Sequence, residues 1–346
     1  MNTGSFAVEN APSLPVPAGM RQQLEAWRKL LTQCGRKPGR KSVHALRVAT
    51  LRLQAELEYG LGEQPADTTG LNAARRLRRQ GKKLRRALGP VRQADVYLGK
   101  LKRVRGWAGV EGNGHPAFPA ECVSAIDRLA RSFERQRGDA ANQLATEIKR
   151  RRRRLGRLST KAEPAFDAFA PGAESDTSSK ILKQIRAAAD EFPELDAGNL
   201  HEFRKQIKKV RYLAEIFGRT DETAARQADT LRRMTGAVGE WHDWQALAAE
   251  ARQAAGGRGA MKALADCLEA QAGRSLEHAL ELCRRSMRRR LREKTDGDRT
   301  EGPELLGEAP HEAAERGNHK PAGRRPVASV PAAAERDEAE KPARAS

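Results

Sequence analysis

Aromatic residues are scarce in this sequence: three Tyr, four Trp and eight Phe make up 4% of 346 residues. Readers of single-stranded nucleic acid stack bases on exposed aromatics between their cations. Here most aromatics, Phe203 and Phe217 among them, fall at apolar-stripe positions. Cysteine is nearly absent too. Cys34, Cys122, Cys267 and Cys283 stand far apart with no Cys-x-x-Cys pair, which points to a reduced, cytosolic setting. No apolar run approaches the roughly 18 residues a membrane span needs. Residues 1–19 lack the basic segment and apolar run of a secretory signal. The expectation is a cytoplasmic protein with no membrane contact.

What the chain does have is positive charge. Lys and Arg number 65 against 45 Asp and Glu, a net +20. The excess is uneven: residues 293–346 hold 12 acidic and 9 basic residues, or −3, so residues 1–292 carry +23. A positive field of that size calls for a polyanionic partner. Nucleic acid, a membrane surface and inorganic polyphosphate all answer that description.

Leu and Ala carry most of the apolar content, at helical spacing, and no segment reads better as a strand. The fold class is all-α. Residues 1–19 read as a disordered arm. Helices are expected from near Met20 to the Gly35–Gly39 breakers, from a Ser42 cap to Gly60, over 71–88, from Pro90 to about Val104, and over 120–157. Residues 159–179, low in periodicity and rich in Ser, Pro, Ala and Gly, read as a linker. Helices resume near 180–191, 199–217, 222–236, 239–255 and 258–292. Residues 293–346, rich in Pro, Glu and Ala, read as a disordered tail. The expected organisation is a first bundle over 20–158 and a second over 180–292.

The helix over 200–217 carries the clearest pattern. Phe203, Ile207, Val210, Ala214 and Phe217 form an apolar stripe. His201, Arg204, Lys208 and Arg211 share the opposite side, the three cations within about 80° of the histidine. Ten residues of such a stripe cover roughly 15 Å. This helix has an upstream counterpart: Val43-His44-Ala45-Leu46-Arg47 matches Leu200-His201-Glu202-Phe203-Arg204, and Arg52 stands where Lys209 does. Leu88-Gly89-Pro90-Val91-Arg92 likewise matches Val238-Gly239-Glu240-Trp241-His242. A lone histidine on a helix is ordinarily packed against a neighbouring carbonyl. A His-x-x-Arg start recurring on a basic stripe in both halves points instead to an anion contact. A solvated helix face alternates sign, yet the stripe of Arg75, Arg78, Lys82 and Arg85 holds no acid. The runs 149–154 and 284–292 are also cationic but go all round their helices, as nonspecific patches do.

Enzymatic motifs fare worse. His201-Glu202 begins like a zinc-protease helix, but position 205 is Lys, so the metal pair is missing. Gly81-Lys82 lacks the glycine and Ser or Thr of a phosphate-binding loop. His242-Asp243 resembles the dyad of all-α phosphohydrolases, but the first half has Arg92-Gln93 there. No catalytic residue, metal or cofactor is expected. Helical stripes free of aromatics suit a polyanion without bases, and Arg suits bidentate phosphate contacts.

The residues 43–50, the Leu88-Gly89 turn leading to Arg92 and Asp95, the stretch from Leu200-His201 through Tyr212, and the Gly239 to Asp243 turn together resemble the CHAD family, the conserved histidine α-helical domain, over roughly residues 20–292. The resemblance implies two helical bundles related by pseudo-twofold symmetry, with basic helices lining a central surface or pore. It also implies binding of inorganic polyphosphate and association with polyphosphate granules. Members often stand beside, or are fused to, a CYTH-type triphosphatase domain. This sequence has no room for one, so a stand-alone, non-enzymatic member is expected, with granule proteins or a separate triphosphatase as partners. The residues implicated are His44, Arg47, Arg52, Arg75, Arg78, Lys82, Arg85, Arg92, His201, Arg204, Lys208, Lys209 and Arg211. The first stripe departs from the family: after Arg47 it reads Leu51, Arg52, Leu53 and Gln54, with one cation left. The second half, with Arg204, Lys208, Lys209 and Arg211, is expected to contribute more. The alternative readings are a nonspecific nucleic-acid-binding protein driven by counterion release and, behind it, a metal-dependent phosphohydrolase using His201, His242 and Asp243.

Overall fold

The computed structural model describes residues 20–62, 69–109, 118–167, 177–218, 221–256 and 259–297. These residues are all-α. The helices are α1 (Met20–Arg36), α2 (Arg40–Gly62), α3 (Leu71–Trp107), α4 (Cys122–Asp167), α5 (Thr177–Glu191), α6 (Leu200–Phe217), α7 (Glu222–Ala254) and α8 (Ala260–Gly297). Among the described residues the β pairing is one isolated bridge, Ala108 with Phe118. The expected arm, 1–19, and the expected tail from 298 onward lie outside the described residues. Residues 293–297, expected in that tail, are the end of α8.

Three hydrophobic cores organise the helices. The first gathers α1, α2, the start of α3 and the end of α4 around Trp27, Leu46, Leu84 and Ile148. The Trp27 indole donates to Thr50 Oγ1 at 3.0 Å, and that hydroxyl donates to the Leu46 carbonyl at 2.7 Å, so the buried polar groups are satisfied. The second core gathers α5, α6, the start of α7 and the end of α8 around Ile185, Phe203, Ile207 and Cys283. The third is built from the remaining ends of α3, α4, α7 and α8, around Tyr97, Phe133, Trp244 and Leu268. Elements from both halves of the chain therefore share this central core. It is reinforced by Lys100 of α3, only 4% exposed, whose Nζ lies 2.8 Å from Glu240 Oε1 and 3.9 Å from the Trp244 ring centroid.

Several expected boundaries shift, each for a tertiary reason. Ser42 does not cap α2. It sits inside the first turn and donates to the Lys37 and Gly39 carbonyls, both at 3.0 Å. Gly89-Pro90 does not end a helix, because α3 runs through it: Leu88, Val91 and Ala94 continue one buried face while Pro90 stays exposed. The break expected between 236 and 239 is likewise crossed by α7. The linker expected from residue 159 begins as helix, since α4 continues to Asp167. Ser159, fully buried, accepts from Arg28 Nε at 2.7 Å and donates to the Gly156 carbonyl at 2.7 Å, and Ala162 and Ala165 enter the first core. α5 starts at Thr177, ahead of the expected residue 180.

Gly70 locks this extension in place. Its φ is +85°, and a Cβ there would meet the Lys161 carbonyl oxygen at 2.8 Å. Gly70→Ala is expected to cost about 2 kcal/mol, through the left-handed backbone and the clash with a neighbouring main chain. Denaturant unfolding checks this; an unchanged midpoint would show that the end of α4 can move away freely.

Candidate anion-binding site

The site begins with what α6 buries. Leu200, Phe203, Ile207, Val210, Ala214 and Phe217 all enter the second core. With 3.6 residues per turn, the other side must carry His201, Arg204, Lys208 and Arg211. The start of α6 is fixed by Asp196, whose Oδ1 accepts from the Gly198 and Asn199 amides at 2.8 and 2.9 Å. In α2, Val43, Leu46, Leu53 and Leu57 are buried, which leaves His44 and Arg47 half-buried on the side turned towards the α6 cations.

Two arginines at matching positions make matching contacts. Arg47 Nη1 donates to the Arg85 carbonyl at 3.4 Å, and Arg204 Nε donates to the Thr235 carbonyl at 3.3 Å. Each acceptor stands three residues before the aligned Leu88 and Val238. Gly239 gives the Arg204 guanidinium its room, since an added Cβ would lie 3.1 Å from Nη2. Arg92 is the strongest charged neighbour of His44. At the aligned place His201 stacks on His242, with ring centroids 5.4 Å apart and planes inclined by 30°.

Electrostatics show how closely these groups crowd. Burial pushes the Lys208 ammonium down to about 8, and Arg204, Arg211, Arg47 and Arg85 push in the same direction. One lysine of α6 thus feels cations from α2, α3 and α6 together. Burial, then Arg85 and Arg92, lowers Arg47, and Arg204 adds to the effect. Both imidazoles are held below the usual histidine value, first by burial and then by nearby cations. They are therefore neutral at pH 7, each with one N–H to donate. Asp243 lies near Arg92 and Arg204; burial raises its carboxyl while Lys100, Arg92 and His242 oppose that rise.

The structure brings together His44, Arg47, Arg85, Arg92, Arg204, Lys208 and Arg211, with His201 joined through His242 and Arg204. It sets others apart. Arg52 is exposed and its Nε donates to Glu215 Oε2 at 3.4 Å. Arg78 faces Glu58 at 3.7 Å. Arg75, Lys82 and Lys209 are exposed, and none is among the charges that shift Arg47 or Lys208. Of the four-cation stripe on α3, Arg85 alone is a neighbour of Arg47 and Lys208. Leu77, Gly81 and Leu84 occupy the side packed in the core, which turns Arg75 and Lys82 out to solvent. Sequence reasoning missed Glu215, Tyr212 and Arg232. Glu215 stands four residues after Arg211 on the same face, which a helical count reveals, but its partners on α2 and α7 are set by tertiary packing alone. Among the described residues, no group of three or more His, Cys, Asp or Glu is arranged to hold a metal, and no helix is long and apolar enough to cross a membrane.

A family model described as the CHAD domain matches residues 18–252, from just before α1 to near the end of α7. No curated protein matches the chain.

Proposed function

The chain belongs to the CHAD family, and from that premise we propose that it binds inorganic polyphosphate and does not act on it. The observation that carries this reading is the crowding at Lys208. A half-buried ammonium surrounded by four arginines, lowered to about 8, is destabilised until an anion enters. Phosphoryl oxygens accept charge-assisted hydrogen bonds from several guanidiniums at once. The neutral His44 and His201 imidazoles each add a donor. The aromatic side chains favour a partner without bases: Trp27, Trp241, Trp244, Phe203 and Tyr212 are buried and offer no stacking platform. Polyphosphate granules would be the cellular location, and a separate CYTH-type triphosphatase or granule proteins the partners.

Titration calorimetry at physiological salt tests the proposal. Long-chain polyphosphate is expected to bind and to be displaced poorly by single-stranded RNA. Equal affinity for the two would favour the nucleic-acid reading, in which exposed cations such as Arg152, Arg153 and Arg154 of α4 serve as a nonspecific patch. Phosphate release on adding divalent metals would overturn the non-enzymatic part, because His201, His242 and Asp243 stand close enough to be suspects.

A further inference from the structure

The cation row of α6 ends in an acid. Glu215 lies one turn beyond Arg211, and its side chain is 12% exposed. It touches three guanidiniums from three helices: Arg52 of α2 at 3.4 Å, Arg211 of α6 at 3.3 Å and Arg232 of α7 at 3.7 Å. All three contacts are long. Charge-assisted pairs settle near 2.7–2.9 Å when geometry allows, and this molecule makes such pairs elsewhere: Arg137 with Asp95 at 2.7 Å and Arg226 with Glu222 at 2.8 Å. The Arg211 Nε facing Glu215 Oε1 is buried and has no hydrogen-bond partner in line. One carboxylate is thus shared among more cations than it can bond well. That is the arrangement of a resident counter-ion, held by charge and satisfying no partner fully.

We propose that Glu215 is an internal competitor of the polyanion, occupying the end of the cation row until phosphate displaces it or stops short of it. The proposal rests on the polyphosphate reading of the same site. Its chemistry follows from the contacts. A free Lys208 centre, with Arg47, Arg85 and Arg204 around it, takes the first phosphoryl groups. A chain continuing towards the end of α6 meets the Glu215 carboxylate and is repelled, while Arg52 and Arg211 are withheld from it; Arg232 is held chiefly by Asp229, at 2.6 Å. Glu215 therefore lowers affinity and shortens the stretch of polymer the site can neutralise. The earlier pattern has an acid at the matching place, Glu58, paired with Arg78 at 3.7 Å, but that side chain is 59% exposed and holds a single cation. Competition is accordingly concentrated in the second copy.

Glu215→Gln tests this. The amide keeps one acceptor oxygen for the arginines and removes the charge. Long-chain polyphosphate is expected to bind the variant roughly tenfold tighter, because like-charge opposition at an interface is costly. The slope of log affinity against log salt is expected to steepen by about one or more, as released cations engage additional phosphates. Weaker or unchanged binding would overturn the proposal and make Glu215 a positioning residue for Arg211. Arg52→Gln, alone and in the E215Q background, supplies a second measurement, with the far-ultraviolet circular dichroism of each variant confirming that it is folded. Alone it is expected to cost little affinity, since Arg52 is already engaged. In the E215Q background it is expected to reverse part of the gain, and an additive double-mutant cycle would sink the idea. If the wild-type protein binds no polyphosphate in the same titration, the functional reading fails and the proposal with it. Wild-type binding together with a weakened E215Q overturns the role of Glu215 alone.

Discussion

Replacing Arg204 and Lys208 together with alanine is expected to weaken polyphosphate binding by about a hundredfold or more. Each hydrogen bond from a charged group contributes on the order of 1.5–3 kcal/mol, and two are removed from the centre of the site. Arg204 is held in place from two sides, by its bond to the Thr235 carbonyl at 3.3 Å and by the space over Gly239. Such a pre-placed guanidinium loses little entropy on binding. Lys208 feels four neighbouring arginines, so an anion there relieves more repulsion than at any exposed cation. The comparison variant, Arg47→Ala with Arg52→Ala, is expected to cost nearer tenfold. Arg47 belongs to the cluster, but Arg52 is exposed and already engaged by Glu215. Calorimetry on both double variants at one salt concentration decides it, and a larger loss from the α2 pair would overturn the asymmetry between the two copies.

Lys208→Met is expected to do two opposite things. It should weaken polyphosphate binding and stabilise the free protein. A lysine lowered from 10.5 to about 8 is more costly to keep charged in the folded than in the unfolded chain. At about 1.4 kcal/mol per unit, the upper limit of that cost is about 3.5 kcal/mol. Below pH 8 Lys208 is protonated in both states and the cost is fully present. Between about 8 and 10.5 the unfolded chain binds more protons, so the stability of the wild type rises with pH across that window. Above it the cost is gone. The Lys208→Met variant should therefore melt well above the wild type at pH 7 and converge on it near pH 10.5. Polyphosphate should erase the difference at pH 7, because an anion restores the lysine's preference for its charge. Thermal melts across pH, with and without polymer, check all three points. A variant less stable than wild type at pH 7 would show that Lys208 is already compensated in the free protein.

The residues behind these two effects differ in how far the sequence alone reveals them. The apolar stripe of α6, and with it the side that carries His201, Arg204, Lys208 and Arg211, follows from a period of 3.6 and needs no structure. The pairing of His44 with Arg92 and of His201 with His242 was latent in the internal repeat, since 92 and 242 are aligned positions. By contrast, nothing local distinguishes Arg85, which reaches the cluster, from Lys82, which faces solvent. Both lie on a stripe without acids, and only the packing of Leu77, Gly81 and Leu84 chooses between them. The helices crossing Gly89-Pro90 and Ser159 depart from the sequence expectation for a related reason. Breaker residues and low periodicity weaken a helix in isolation, but a continuous buried face and a satisfied Ser159 outweigh those local penalties.

The all-α class, the family, the repeated His-x-x-Arg helix starts and the excess of positive charge are all legible in the amino-acid order, because composition and periodicity act through local geometry and net field. The tertiary structure decided which cations meet. Two long helices from each half share a central core around Trp244 and Phe133, and α2 faces α6 beside it. That arrangement surrounds Lys208 with arginines and leaves Glu215 among Arg211 and two more, Arg52 and Arg232. Charge–charge distances between helices far apart in sequence are fixed by packing, and no spacing along one helix encodes them.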